Sequence, residues 1–318
     1  MSEAIREVSY FSELDKSMQL AFFAPASGTE KRPVVVALHT WSADHHQDSS
    51  NYFSRCAERN WHCIFPRFRG PNWQPEACGS DFVVSDIAGA LAYVKANYPV
   101  DEERIYLVGG SGGGHASLLL AGRHPELWSA VSAWCPISDV AKWHASCRIC
   151  GRKDVAIYAD HIEQACGGDP QKDPQVFADA MKRSPVTYLP DARGKLIVDI
   201  STGIHDGHTG SVPVSQALEA FNILAAEDDR LSDDEIDFIV KNQAIPAGME
   251  YLDEDPVFGD YKVLFRRESG LVRITLFEGS HNLLCDPAMA FLGKQQLGKA
   301  PDWSKSDAVM AGDGELGR

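Results

Sequence analysis

The sequence predicts an α/β fold: a doubly wound, mostly parallel sheet with helices on both faces. Two observations carry this. Short apolar runs without polar alternation recur along the chain, as expected of strands covered on both faces. Between them, apolar residues recur at helical spacing, and such strand–helix alternation means βαβ units. The 318 residues, 44% hydrophobic and 24% charged, suffice for a full core.

Taken in order, "EVSYFS" (7–12) and "MQLAFFAP" (18–25) read as an antiparallel leading hairpin. "RPVVVALHT" (32–40) is the first buried strand and "WHCIFPRF" (61–68) the next. In the helix that follows, Val84, Ile87, Leu91 and Val94 share a face, and Pro99 ends it. "ERIYLVGG" (103–110), "WSAVSAW" (128–134), "GKLIVDIST" (194–202) and "GLVRITLFE" (270–278) are further strands. The helix in 212–225 places Val214, Leu218, Phe221 and Leu224 on one face.

Residues 227–270 break the rhythm and read as an insertion before the last strand. Within it, "LSDDEIDFIVKN" has the pattern of a capped helix, with Ser232 three residues before Glu235. Its apolar Ile236, Phe238, Ile239 and Val240 need a partner surface. The segment is therefore expected to cap the crevice at the strand ends or to form an oligomer contact. Residues 1–298 are expected to form one domain, with 299–318 a loosely held polar tail.

The net charge of −15 argues against nucleic acid and against anionic membrane as partners. Glu3, Arg6 and Glu7 interrupt any apolar leader, and no run approaches the roughly 18 apolar residues of a membrane span. The chain as given reads as cytoplasmic. Its eight cysteines are scattered and are expected to be reduced thiols, with a disulfide the alternative. Cys147 and Cys150, near His144, His161 and Cys166, offer a metal clip, but no second CxxC completes it. "DHHQD" (44–48) with His205 and His208 is the other metal candidate. Neither is needed for the chemistry below, so neither a metal nor a cofactor is expected.

That chemistry centres on Gly109-Gly110-Ser111-Gly112-Gly113, a G-x-S-x-G pattern between a strand and a helix. This is the context of a nucleophile elbow, whose sharp turn exposes a serine hydroxyl and leaves no room for neighbouring side chains. A phosphate-binding loop would need G-K-[ST], or a position after the first strand, and has neither here. A nucleophilic serine needs a base and a group to orient it. Asp206 lies just past the 194–202 strand and His281 just past the last one, where catalytic groups gather in open α/β sheets. Asp199 sits inside its strand, and His205 and His208 precede the last strand, so they are weaker candidates. The oxyanion donors are expected to be the backbone N–H groups of Gly112 and Trp41, with Ser42 next. Thr40 stands where glycine is common, which leaves the conformation of that loop open.

The elbow "GGSGGGHAS", the acid loop "HDGHTGSVPVSQALEAF" and the histidine in "FEGSH" resemble the α/β-hydrolase catalytic domain of the prolyl oligopeptidase-like branch. The resemblance covers about residues 30–225 and 270–292. It implies an α/β-hydrolase fold and acyl-enzyme chemistry through Ser111, Asp206 and His281. The chain leaves no room for the propeller of true oligopeptidases, and "HTWSADHH" replaces the glycine-rich "HGGP" of peptidases. Stand-alone domains of this branch resemble carboxylesterases more often than peptidases. The expected activity is therefore hydrolysis of a carboxylic ester, such as an acetyl or feruloyl ester of a carbohydrate. A peptidase or amidase is the runner-up.

Four tryptophans, 41, 73, 134 and 143, fall in loops expected near the catalytic edge, as do Arg67 and Arg69. Flat aromatic faces and arginines suit a sugar or phenolic acid. Trp73, Arg69, Trp134 and His208 are accordingly the expected substrate contacts. The partner is expected to be a small-molecule or oligosaccharide ester, with homo-oligomerisation left open.

Overall fold

In the computed structural model, which describes residues 5–305, nine strands form one sheet in the order β1-β2-β4-β3-β5-β6-β7-β9-β8. They are β1 (Arg6–Phe11), β2 (Met18–Ala24), β3 (Arg32–Leu38), β4 (His62–Pro66), β5 (Val100–Gly110), β6 (Ala130–Trp134), β7 (Ile197–Gly203), β8 (Val263–Ser269) and β9 (Val272–Phe277). The six strands from β4 through β9 in that order run parallel; β1, β2 and β8 complete the edges antiparallel. From β3 the chain crosses to β4 on one side and then to β5 on the other. The crevice at the C-terminal ends of β3 and β5 is thus a topological switch point, where open α/β sheets bind ligands.

The unbroken apolar runs are explained by burial on both faces. In β3, Val34, Val36 and Leu38 enter the core under helices α2 (Asp81–Asn97), α3 (Gly112–Arg123) and α7 (Ser215–Leu224), while Val35 and Ala37 face the opposite core. That second core packs under α1 (Ser50–Arg59) and α9 (Cys285–Leu292), with Tyr52, Phe53, Met289 and Phe291 as its outer wall. A third, smaller cluster joins Trp41, Ile137 and Trp143 to helices α4 (Val140–Ile149), α5 (Lys153–Cys166) and α6 (Pro174–Lys182). Among the described residues no helix is long and apolar enough to cross a membrane.

The insertion contains the capped helix α8 (Asp233–Asn242) and the edge strand β8. Ser232 Oγ accepts the Glu235 N–H at 3.2 Å, and the Glu235 carboxylate accepts the Ser232 N–H at 2.6 Å. Ser232→Ala should therefore cost about 1 kcal/mol, read as a lower urea midpoint with an unchanged slope. Ile236 and Ile239 bury in the core beside α7, whereas Phe238 stays 41% exposed. At the other end of the chain, Trp303 stacks on Phe291 at 5.5 Å, which ties residues 299–305 of the expected tail to α9. Residues 306–318 lie outside the described residues.

Candidate active site

Ser111 joins β5 to α3 with φ 56° and ψ −120°, a conformation that side-chain-bearing residues rarely adopt and that costs of order 1–3 kcal/mol. The surroundings enforce it. The Ser111 N–H donates to the Trp134 carbonyl at 2.8 Å, and its own carbonyl accepts the His115 N–H at 2.8 Å. The flanking glycines serve close approach. A Cβ on Gly109 would stand 2.5 Å from the Gly113 backbone, and one on Gly113 would stand 2.6 Å from the Leu38 carbonyl oxygen.

Asp206 and His281 converge on the same crevice from β7 and β9. Asp206 is 1% exposed, and its Oδ1 accepts the backbone N–H groups of Gly207 and Val212, both at 3.0 Å. Its Oδ2 faces His281 Nδ1 at 2.7 Å. Those contacts fix the imidazole and its tautomer, leaving Nε2 buried without a hydrogen-bond partner. Burial opposes charging His281, but the Asp206 carboxylate outweighs it and holds the pKa well above the ordinary histidine value.

One further group was not anticipated. The Cys135 thiol, one residue past β6 at φ 43°, lies beside Asp206 and His281 and reaches the Asn282 carbonyl at 3.5 Å. Burial pushes its pKa up, so it stands there as a neutral thiol. The signal that could have found it is the one used for Asp206 and His281: a position just past a strand's C-terminal end.

The oxyanion candidates also meet. A Cβ on Gly112 would lie 2.5 Å from Trp41 N and Cα, so only glycine lets the α3 N-terminus reach that loop. As the first residue of α3, Gly112 has an N–H with no acceptor in its own helix, and the helix dipole there favours negative charge.

Ser111, His281 and Trp41 line a cavity of about 570 Å³ together with Thr40, Gln47, Tyr158, Thr209, Asn282 and Leu283. None of its lining residues is Asp, Glu, Lys or Arg, and none comes from residues 227–270. The expected cap is thus not supplied by the insertion. Tyr158 of α5 contributes to the lining instead, from a region, 135–193, to which sequence reading assigned no element.

Most of the expected substrate contacts lie elsewhere. Arg69 turns away to pair with Asp86 at 2.7 Å and Asp15 at 2.9 Å, because the fully buried Asp86 carboxylate needs a cation. Trp134 is a core residue packed on Phe258 and Phe277, with its indole N–H on Ser132 Oγ at 3.0 Å; only its carbonyl reaches the elbow. His208 points outward to the Val240 carbonyl of α8 at 2.6 Å. Trp73 is half-buried against His161 at 4.7 Å, outside the cavity wall. An aromatic series links it inward: His161 to Tyr158 at 5.9 Å, Tyr158 to Trp143 at 5.2 Å, Trp143 to Trp41 at 4.8 Å. The passed-over Asp199 is paired with Arg273 at 2.7 Å.

Among the described residues the two metal candidates are grouped differently from the sequence motifs. His45 and His46 face Glu7 rather than His205 and His208, which bond to Glu278 and to Val240. His144 groups with Glu163 and Asp169 rather than with Cys147 and Cys150, and those carboxylates already hold Arg148 at 2.6 Å and Lys172 at 2.9 Å. All eight cysteines are free thiols.

Residues 79–242, just over half the chain, match the prolyl oligopeptidase family. The chain belongs to that family. The match takes in Ser111 and Asp206 and ends before His281. Among individual relatives, a feruloyl esterase B of Talaromyces funiculosus is 24% identical over 147 residues, 42% of this chain and 40% of that protein. An acylamino-acid-releasing enzyme of Sus scrofa is 28% identical over 145 residues, 45% of this chain but 18% of that protein. The chain thus spans less than half the length of either relative. An acylaminoacyl peptidase from Pyrococcus horikoshii superposes with a TM-score of 0.53 at 15% identity, over 70% of this chain and 35% of that one. Oligopeptidase B from Leishmania major gives 0.59 at 12% identity, over 90% and 34%. At such identities these structures speak for the α/β-hydrolase fold of this family member.

Proposed function

We propose that this protein is a serine hydrolase that cleaves a small carboxylic ester through an acyl-enzyme. One observation carries the reading: His281 is held by Asp206 at Nδ1, its Nε2 has no hydrogen-bond partner, and Ser111 and His281 line one cavity. Neutral His281 takes the Ser111 proton as Oγ attacks the ester carbonyl. The Gly112 and Trp41 N–H groups receive the developing oxyanion. The imidazolium then protonates the departing alcohol, and water repeats the sequence to release the acid.

The lining favours an uncharged substrate carrying hydroxyls. Thr40, Ser42 and Thr209 line it with hydroxyls, and Trp41 and Tyr158 offer apolar faces, the combination expected for an acyl group on a sugar. The relative named feruloyl esterase B agrees with ester cleavage. The acylamino-acid-releasing relatives favour an amidase as the second reading, but the lining provides no charged side chain to anchor a peptide terminus. A panel of p-nitrophenyl acetate, methyl ferulate, acetylated xylan and a proline anilide decides between them. Esters should turn over and the anilide should not; the reverse order would make this a peptidase. Turnover should be indifferent to chelators.

A further inference from the structure

The loop that carries the Trp41 N–H reads His39-Thr40-Trp41-Ser42. It has no glycine, so its shape has to come from its surroundings. The Trp41 N–H belongs to the Thr40–Trp41 peptide, and both neighbouring peptides are held by side chains from other parts of the chain. On one side, Gln47 Oε1 accepts the Thr40 N–H at 2.8 Å and the Thr40 hydroxyl at 3.0 Å. On the other, the Trp41 carbonyl accepts two N–H groups from a single residue, the Asn72 backbone at 2.9 Å and Asn72 Nδ2 at 3.1 Å. Asn72 is only 2% exposed, and its Oδ1 in turn accepts the Cys78 N–H at 2.8 Å. It does not line the cavity, so it can act on substrate only through Trp41.

We propose that Asn72 and Gln47 are positioning residues that hold the Thr40–Trp41 peptide with its N–H aimed beside Gly112 at the developing oxyanion. This rests on the acyl-transfer reading above. The clamp does the work that a glycine-rich turn would otherwise do by its own conformation. Gly112 and Trp41 are already in contact, so rotation of the clamped peptide removes one donor and leaves the other. Losing an oxyanion donor lowers turnover by about 10²–10³-fold, and misplacing one by about 1 Å by up to about 10²-fold.

The test measures ester kinetics and the affinity of an alkyl boronic acid, whose adduct at Ser111 mimics the tetrahedral intermediate. Asn72→Asp keeps the acceptor for the Cys78 N–H and loses the Nδ2 donor. It should lower kcat about 10–100-fold with KM within about twofold, and weaken boronate binding by the same factor. Gln47→Leu should also weaken boronate binding more than substrate binding, and Gln47→Glu, which keeps the acceptor, should recover most of the loss. If Asn72 variants fail to fold, the two Gln47 variants decide by the same ratio. A native kcat in folded Asn72→Asp, a loss that falls wholly on KM, or an unchanged boronate affinity overturns the clamp. If instead Ser111→Ala retains turnover, the acyl-transfer reading itself falls, and the clamp with it.

Discussion

Ser111→Ala is expected to remove ester turnover by about 10⁴–10⁶-fold, the scale on which nucleophile loss acts when the oxyanion site and binding remain. A fluorophosphonate probe should label the native protein at Ser111 and leave the variant unlabelled. Thermal stability should hardly change, because Oγ makes no hydrogen bond on which the fold depends and alanine inherits the same backbone strain. Ser111→Gly separates the two properties. It should be equally inactive but more stable by roughly 1 kcal/mol, since glycine occupies φ 56° without steric cost. Turnover that survives either substitution, or a large fall in melting temperature for the alanine variant, would make Ser111 a structural turn residue.

The second large effect is on the acid. Asp206→Asn should lower kcat by about 10⁴-fold, because the amide can hold His281 in the wrong tautomer. The pH profile gives the independent reading. The base must be neutral, and Asp206 holds the His281 pKa above the ordinary histidine value despite burial. Activity should therefore fall as pH drops through a midpoint above about 6.5. With the carboxylate gone, burial is left as the main influence and favours the neutral ring. The residual activity of Asp206→Asn should then persist to lower pH than in the native protein. The same shift has a stability counterpart. The His281–Asp206 attraction contributes fully below the unfolded histidine pKa and is lost as pH rises through the raised folded value. A native profile flat between about pH 5 and 8 would exclude a histidine base.

Sequence legibility followed the kind of interaction. The strands were readable because both faces of the sheet are covered, and the Ser–Asp–His order because each residue sits just past a strand end. The α8 cap was readable because Ser232 and Glu235 are local partners. What stayed hidden depends on tertiary pairing. Arg69 has the chemistry of a ligand contact, but a buried carboxylate on α2 claims it. Trp134 is aromatic and close to the elbow, but its ring belongs to the core, and strand alternation did not separate it from its neighbours. Helix α6 begins with Asp173 capping the Gln175 N–H and Pro174 in the first turn, inside a stretch rich in Gly, Asp and Pro that gives no apolar run. Edge strand β8 combines charges with apolar residues, and only its pairing with β9 defines it.

The three apolar clusters divide the molecule unequally. Two clamp the sheet from opposite faces and carry the strand ends from which Ser111, Asp206 and His281 project. The third, beneath α4, α5 and α6, is the smallest and holds Trp143, against which Tyr158 leans into the cavity. Free energies of local opening follow the apolar contacts that must be broken. Amide hydrogens of α4, α5 and α6 are therefore expected to exchange faster than those of the central strands. If the proposed ester hydrolysis holds, substitutions beneath α5 should change which substrates are turned over while leaving fluorophosphonate labelling of Ser111 unchanged.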